Sequence, residues 1–215
     1  MIDEQTKTKS KSSGGSFWRE LPILLVVALV VAFLVRAFVV QTFYIPSQSM
    51  EHTLNIDDRV LVNKLVYDFR DPHRGEIIVF VSPESWRSIP NEKDFIKRVI
   101  GVGGDHVTCC DPQGRLQVNG HPLDETYVLK PSPTQPAAPR EFDIVVPAGR
   151  LWVMGDNRYS SGDSLQNWSS SEDINQATIA VDSVIGRAFV LFWPFDRMTW
   201  LSVPDAYDNV PAPAG

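Results

Sequence analysis

Two serines, Ser47 and Ser49, follow Pro46 in the run IPSQSM. A serine hydroxyl acts as a nucleophile when a base takes its proton, and a second hydroxyl nearby can donate a hydrogen bond to the oxyanion that forms. Serines after a proline are also common turn residues. The pair therefore indicates acyl-transfer chemistry only if the sequence also offers a base.

The histidines do not supply that base in any recognisable pattern. The chain has four, none in an H-E-x-x-H motif, and it contains no G-x-S-x-G motif; they are His52, His73, His106 and His121. No serine stands three residues before a lysine, so the Ser-x-x-Lys arrangement is absent as well. A Ser–His–Asp hydrolase is not predicted.

Lys97 is the remaining candidate base, in the apolar run FIKRVI. In a strand alternate residues share a face, so Phe95 and Val99 would lie on the same side as Lys97. If that face is buried, desolvation lowers the pKa of the lysine and makes a neutral amine available near neutral pH. If the face is wet, Lys97 is an ordinary solvated residue, and the alternation does not decide between the two.

The elements that would carry these residues are mainly strands. Short β-branched runs predict strands at residues 59–64, 76–81, 95–100 and 184–191. Asn119-Gly120 predicts a hairpin turn, and no long amphipathic helical window follows residue 43. We therefore expect a mainly β catalytic domain over residues 43–201.

The N-terminal region predicts a tail and a membrane anchor. Residues 1–16 are too polar to fold and predict a disordered cytoplasmic tail. Residues 17–42 contain a bilayer-length apolar stretch, broken only by Arg36 near its outer end, where the side chain can reach the headgroups. Basic residues precede the span, which predicts a cytoplasmic N-terminus; they are Lys7, Lys9, Lys11 and Arg19.

Two other interpretations of the apolar stretch fit less well. A cleavable signal peptide would end in an A-x-A pattern, whereas this stretch ends in VVQT. A helix in the core of a soluble protein would show a polar face. A single transmembrane anchor is therefore the prediction, with a flexible tail expected at the other end, over residues 202–215.

Composition narrows the chemistry further. A net charge of -6 over 215 residues argues against nucleic acid as a partner, because nucleic-acid binders cluster Lys and Arg. The two cysteines, Cys109 and Cys110, are adjacent and so form no C-x-x-C motif. They are ordinary side chains or a strained vicinal disulfide. We expect no metal and no cofactor.

Five segments together resemble the conserved boxes of bacterial type I signal peptidases. Residues 45–50 look like the P-S-x-S-M box, and residues 95–101 with Gly104-Asp105 resemble the box that holds the lysine of that family. The remaining boxes are similar to residues 58–64, residues 74–80, and residues 155–158 with Ser161, Asp163 and Ser164. They occur in the family's order over most of residues 43–195.

The resemblance implies a role for individual residues. Ser49 would be the nucleophile and Lys97 the general base; the Ser47 hydroxyl and the Ser49 N–H would form the oxyanion hole, and Ser161 would orient the lysine amine. Structural supports near the site would be Asp156, Arg158 and Asp163. Apolar pockets for small side chains at the first and third positions before the cut would be lined by Phe43, Ile45, Met50, Leu54, Phe95 and Ile96.

One position departs from the family. Leu165 stands where the family usually has an arginine, so Asp163 has no cationic partner there, and Arg158 or another base would have to replace it.

The resemblance also implies the function. A membrane-bound serine endopeptidase would remove signal peptides from exported preproteins, cutting after Ala-x-Ala-type sequences. It would be a single-pass protein of the cell membrane with its catalytic domain outside the cytoplasm, and its partners would be signal peptides and the lipid bilayer. The alternative is a membrane-tethered β-rich binding domain without catalysis, in which Ser49 and Lys97 are bystanders.

Overall fold

A computed structural model describes residues 14–34, 36, 39–89 and 91–213. These residues form two units that divide between Val39 and Val40. Helix α1, Gly14–Leu34, belongs to the first unit and begins inside the tail predicted over residues 1–16, whose first 13 residues lie outside the described part. None of the helices formed by the described residues combines the length and apolar character needed to cross a membrane.

The second unit begins with strand β1, Val40–Tyr44, so the anchor predicted to extend to residue 42 overlaps a strand by three residues. Strand β1 pairs antiparallel with β2, Arg59–Asn63, from Val40↔Asn63 to Tyr44↔Arg59. Valine, threonine and aromatic residues favour a strand once a partner is present. The apolar run alone could not reveal that partner.

The larger of two sheets has eight strands. Besides β1 and β2 it contains β3 Ile77–Val81, β4 Asp94–Val102, β9 Arg150–Met154, β10 Ile179–Ala180, β11 Val184–Trp193 and β12 Thr199–Trp200. Their order is β1-β2-β11-β3-β4-β9-β10, with β12 on β11, and every pair is antiparallel. All four predicted strands are present in this sheet.

The smaller sheet has four strands in the order β7-β6-β5-β8. They are β5 His106–Cys109, β6 Leu116–Val118, β7 His121–Pro122 and β8 Phe142–Val145. Asn119 and Gly120 join β6 to β7 with φ angles of 53° and 76°, values that suit a tight hairpin turn. The predicted hairpin and the mainly β class are confirmed.

Strand β3 shows why the centre of the large sheet is buried on both sides. Its residues Ile77 and Val79 pack into one apolar cluster, and Ile78 and Phe80 pack into another. A strand covered on both faces reads as a continuous apolar run instead of an alternating one. Lys97 of β4 lies opposite Ile78, so its side chain belongs to a covered face.

Of the segment predicted as a flexible tail over residues 202–215, the described residues 202–213 contact the rest of the second unit. Tyr207 is 7% exposed and packs against the core of the small sheet, and the side-chain amide of Asn119 donates to the Pro211 carbonyl at 2.9 Å. The buried Tyr207 ring and the Pro211 carbonyl thus join this segment to the small sheet. Cys109 and Cys110 are joined in a disulfide, the second of the two alternatives for this pair.

Candidate active site

Ser49 lies in a short 3-10 turn, Gln48–Met50, that follows β1 through Pro46. The turn is held by the loop after β9: the Asn157 backbone N–H donates to the Ser49 carbonyl at 3.1 Å, and the Asn157 side-chain amide donates to the Gln48 carbonyl at 3.1 Å. The Gln48 amide also donates to Ser160 Oγ at 2.6 Å. Ser49 is thus fixed on its backbone side, while its hydroxyl faces β4.

Lys97 meets Ser49 directly. Its Nζ donates to Ser49 Oγ at 2.7 Å and to the Ile96 carbonyl at 3.0 Å. Lys97 is 4% exposed, and its Nζ lies 5.4 Å from the centre of the Phe95 ring. The structure therefore brings together the two residues named as nucleophile and base, and it buries the lysine.

Burial lowers the pKa of Lys97 from 10.5 to about 8. The charges of Asp163, Asp156 and Glu92 act in the opposite direction and raise it, but they do not cancel the desolvation. Burial also raises the pKa of Asp163, which the Gly155 N–H, Ser161 and Lys97 partly oppose. A minority of Lys97 amines is therefore neutral at pH 7, far more than an unshifted lysine would provide.

Ser47 lies beside the nucleophile. Its Oγ is 3.4 Å from Ser49 Oγ, and its side chain does not cap the 3-10 turn that it precedes. Ser47 is exposed on the cleft side. Its hydroxyl is thus available to a group bound over Ser49, which is where an oxyanion donor is needed.

Ser161 is placed next to the site but does not touch the lysine amine by a hydrogen bond. Its Oγ is buried and has no hydrogen-bond partner among the described residues, although it lies near enough to Asp163 to lower the pKa of that carboxyl. Gly155 separates Ser161 from the nucleophile: a Cβ at this glycine would lie 2.3 Å from the Ser49 carbonyl oxygen and 2.4 Å from Ser161 Oγ. Only glycine therefore fits at position 155 without displacing its neighbours.

Asp156 forms a buried ion pair with Arg98, the neighbour of Lys97 in β4. Arg98 Nε and Nη2 donate to the two carboxylate oxygens at 2.9 and 2.6 Å, and Thr53 Oγ1 donates to the same carboxylate at 2.6 Å. The Arg98 guanidinium stacks 4.1 Å from the centre of the Tyr127 ring. The pair joins β4, the loop after β9 and the turn that follows Ser49.

Arg158 and Asp163 do not pair with each other. Arg158 Nη1 donates to Glu125 at 2.8 Å and its Nε donates to the Gly155 carbonyl at 3.1 Å. Asp163 instead caps helix α2, Ser164–Ser171, accepting from the Leu165 N–H at 3.1 Å, and it also accepts from the Gly155 N–H at 3.0 Å. Backbone N–H groups thus hold the Asp163 carboxylate in place of the cationic partner that was expected from Arg158 or another base. Leu165, at the position where the family usually has arginine, is a buried apolar residue.

A cavity of about 240 Å³, here called the dyad cleft, opens over Ser49 and Lys97. Of the predicted pocket residues, Phe95 and Ile96 line it. Three others, Ile45, Met50 and Leu54, are at most 1% exposed, and together with the half-buried Phe43 they form the apolar layer beneath the nucleophile turn.

Several residues of the site were given no individual role from the sequence, although two of them, Gly155 and Asn157, belong to the box at residues 155–158. Gly155 and Asn157 fix the nucleophile turn, and Glu92, Trp86 and Gly162 line the dyad cleft. The run Gly155-Asp156-Asn157 could have identified the first two, because glycine beside polar residues after a buried strand is typical of a functional loop. Within the described residues, no group of three or more His, Cys, Asp or Glu side chains could hold a metal ion.

Comparisons with known proteins agree on one family. The family model described as signal peptidase, peptidase S26, matches residues 18–193. The signal peptidase I of Mycobacterium tuberculosis is 38% identical over 217 residues, covering 83% of this chain and 74% of that protein. The signal peptidase I of Leptolyngbya laminosa is 39% identical over 183 residues, covering 84% and 82%. A crystal structure of a signal peptidase I from Enterococcus faecalis is 28% identical, covers 55% of this chain and 97% of that one, and has a TM-score of 0.40.

Proposed function

Because the chain belongs to the signal peptidase family, peptidase S26, it is a serine endopeptidase that removes signal peptides from preproteins, and we propose that Ser49 and Lys97 are its catalytic dyad. The observation that carries this proposal is the buried 2.7 Å contact between Lys97 Nζ and Ser49 Oγ. A base needs hydrogen-bond reach to the proton it takes and a pKa near the working pH, and Lys97 meets both conditions.

The reaction is acyl transfer in two halves. Neutral Lys97 Nζ takes the proton of Ser49 Oγ, which attacks the scissile carbonyl carbon and forms a tetrahedral oxyanion. The Lys97 ammonium then gives that proton to the leaving amine, which becomes the N-terminus of the mature protein, and the signal peptide remains as an ester on Ser49. Lys97 next takes a proton from water, and the hydroxide formed attacks the ester carbon. The bond from that carbon to Ser49 Oγ then breaks, the Lys97 ammonium returns its proton to Ser49 Oγ, and the signal peptide leaves as a carboxylic acid.

Two donors would hold the oxyanion: the Ser47 hydroxyl and the Ser49 N–H. The Ser47 hydroxyl supports this role because it lies 3.4 Å from Ser49 Oγ and is not used as a helix cap. Ser161 would hold the lysine amine. Its hydroxyl has no hydrogen-bond partner among the described residues, so a small rotation of the Ser161 side chain, or a movement of Lys97 toward the leaving group, would form this contact. Asp163, Asp156 and Arg158 would support the loop.

Specificity for small residues before the cut follows from the walls of the dyad cleft. Phe95 and Ile96 line it, and the layer beneath it is closed by Ile45 and Met50. A cleft narrowed by large apolar side chains accepts an alanine side chain and rejects a large or charged one. We therefore expect cleavage after Ala-x-Ala sequences.

We also propose single-pass attachment to the cell membrane, with the N-terminus in the cytoplasm. Support comes from the apolar residues 21–35 and from the basic residues that precede them. Further support comes from exposed rings at one end of the large sheet: Trp193, Phe195 and Trp200 are 42%, 70% and 74% exposed. Aromatic side chains of this kind favour the interface between lipid and water.

This aromatic surface lies at the end of the sheet that leads into the site. Trp193 is opposite Arg59 of β2, and Arg59 is opposite Tyr44, the last residue of β1 before Pro46. Contact with lipid there would place the dyad close to the membrane surface, where cleavage sites of membrane-inserted signal peptides lie.

Incubation of the purified full chain in detergent with a preprotein whose signal peptide ends in Ala-x-Ala tests the proposal, with product masses as the readout. Ser49→Ala should abolish cleavage while preserving the thermal unfolding curve, because only one hydroxyl is lost. Ser47→Ala should slow it by about 10²–10³-fold, the usual effect of one lost oxyanion donor. Cleavage by Ser49→Ala at the wild-type rate would remove Ser49 as the nucleophile, whereas a wild type that cleaves no preprotein would favour the binding domain without catalysis.

A further inference from the structure

A second cavity of about 620 Å³, here called the second groove, adjoins the dyad cleft. Ser160 and Gly162 line both cavities, whereas Ser49 and Lys97 line only the dyad cleft. The volume falls within the range of about 300–1,000 Å³ that is usual for binding pockets. A peptide chain that leaves the dyad across the Ser160–Gly162 loop enters this groove.

Apart from the buried Lys97 of the dyad cleft and the buried Asp163 of the second groove, the charges that lack an ion-pair partner among the described residues differ in sign between the two cavities. The dyad cleft is lined by Glu92 and Asp94, and neither forms an ion pair within the described part of the chain. In the second groove the charge of Arg158 is neutralised by Glu125. Arg140 is exposed there and pairs with no acidic side chain among residues 39–89 and 91–213. Its guanidinium is an exposed positive charge without an acidic partner, whereas the carboxylate that lines the groove, that of Asp163, is buried and accepts backbone N–H groups.

The position of the groove identifies its occupant. Phe95 and Ile96 line the dyad cleft alone, and under the proposed function that cleft takes the residues before the cut. Because both cavities are lined by Ser160 and Gly162, an extended peptide that advances about 3.3 Å per residue can continue from the dyad cleft into the second groove. The Gln48–Ser160 hydrogen bond lies at this crossing and offers an amide and a hydroxyl to the passing backbone.

We propose that the second groove binds the first residues of the mature protein, after the cut, and that Arg140 makes it favour an acidic side chain there. This inference rests on the proposed function of the dyad. It assigns Arg140 to substrate selection, because an exposed cation that lacks an acidic partner in its own chain can pair with one on the substrate.

A peptide series tests the inference. Peptides with a fixed Ala-x-Ala sequence carry Asp, Asn or Lys at each of the first four positions after the cut, and kcat/KM is measured with the full chain in detergent. At low salt, the wild type should favour Asp over Lys by about two- to fivefold at one or two of these positions, the effect of an exposed charge pair. The preference should shrink as salt is added.

Variants identify the residue responsible. Arg140→Gln should abolish the preference for Asp, and Arg140→Glu should reverse it toward Lys. Lys64→Gln is the matched control: Lys64 forms no ion pair among the described residues, lies outside both cavities, and should leave the preference intact.

A peptide-binding assay tests the groove independently of the assignment of Ser49 and Lys97 as the catalytic dyad. The Ser49→Ala full chain, titrated with the same peptides carrying a fluorophore, should show the same preference for Asp in Kd. A wild type that cleaves no peptide would contradict the proposed function, while this binding preference would still support the groove. Equal Kd for Asp and Lys peptides at all four positions would overturn the inference, as would an Arg140→Gln variant that keeps the wild-type preference for Asp.

Discussion

The lowered pKa of Lys97 makes a prediction about the pH dependence of cleavage. Lys97 must be neutral to take the proton from Ser49, so kcat/KM should rise with pH through the pKa of this amine and then level off. With a pKa of about 8, about one amine in eleven is neutral at pH 7. With the unshifted value of 10.5, only about one in three thousand would be neutral.

The range between pH 8 and pH 10 discriminates best. A base with a pKa of about 8 passes from half neutral to almost fully neutral, so kcat/KM should increase only about twofold. An unshifted lysine would gain about 75-fold over the same range. The assay is cleavage of a short peptide without titrating side chains, followed from pH 6 to pH 10 with the full chain in detergent.

Three variants test the pKa of Lys97 and its role as the base. The charge of Glu92 raises the pKa of Lys97, so Glu92→Gln should move the rising limb to lower pH. Glu141→Gln, which removes an exposed carboxylate elsewhere, is the control and should not move it. Lys97→Arg should be inactive, because a guanidinium keeps its proton throughout this range. A profile still rising steeply at pH 10, or an active arginine variant, would refute Lys97 as the base.

Three further outcomes follow from the geometry. Gly155→Ala should lose most activity in a kcat assay, because its Cβ would lie 2.3 Å from the Ser49 carbonyl oxygen and displace the nucleophile turn; normal kcat would show that this turn tolerates the shift. Asp156→Ala should lower the free energy of unfolding by about 3–5 kcal/mol in a urea titration, because it leaves Arg98 buried without a partner, and a change under 1 kcal/mol would contradict the ion pair's role. Trp200→Ala should weaken sedimentation with lipid vesicles while leaving peptide cleavage in detergent unchanged, and unaltered vesicle binding would exclude this ring from the membrane contact.

The longer strands of the large sheet could be predicted because each contains a local run of residues that favour extended backbone. The runs at 59–64 and 184–191 match β2 and β11 within two residues, since β-branched side chains favour extended backbone wherever they find a covered face. The shortest strands, such as β7 and β10 with two residues each, carry no such pattern and exist only because a neighbouring strand pairs with them. Helix α2 had a signal that went unused, an aspartate at its N-cap.

The burial of Lys97 could not be predicted from alternation for a physical reason. Strand β4 is buried at six consecutive positions, including both Lys97 and Arg98, so neither face is wet and period two disappears. The buried charge of Arg98 is stabilised by a residue that is distant in sequence, because Arg98 pairs with Asp156, 58 residues away. The residues adjacent to Lys97 in sequence therefore do not reveal that Asp156 is present to neutralise Arg98.

The contrast between these two neighbouring cations explains how one strand can hold an arginine that keeps its charge beside a lysine that can lose its proton. Arg98 is fully paired: Asp156 meets it with both oxygens, and the Gly75 carbonyl accepts from its Nη1 at 2.8 Å, so its charge is retained despite burial. Lys97 receives only a hydroxyl and one carbonyl as partners. Asp156 and Asp163 raise its pKa, but the first is bound to Arg98 and the second accepts backbone N–H groups, so desolvation prevails at Lys97. By binding the nearby carboxylates elsewhere, the fold leaves this lysine able to lose its proton to solvent and accept one from Ser49.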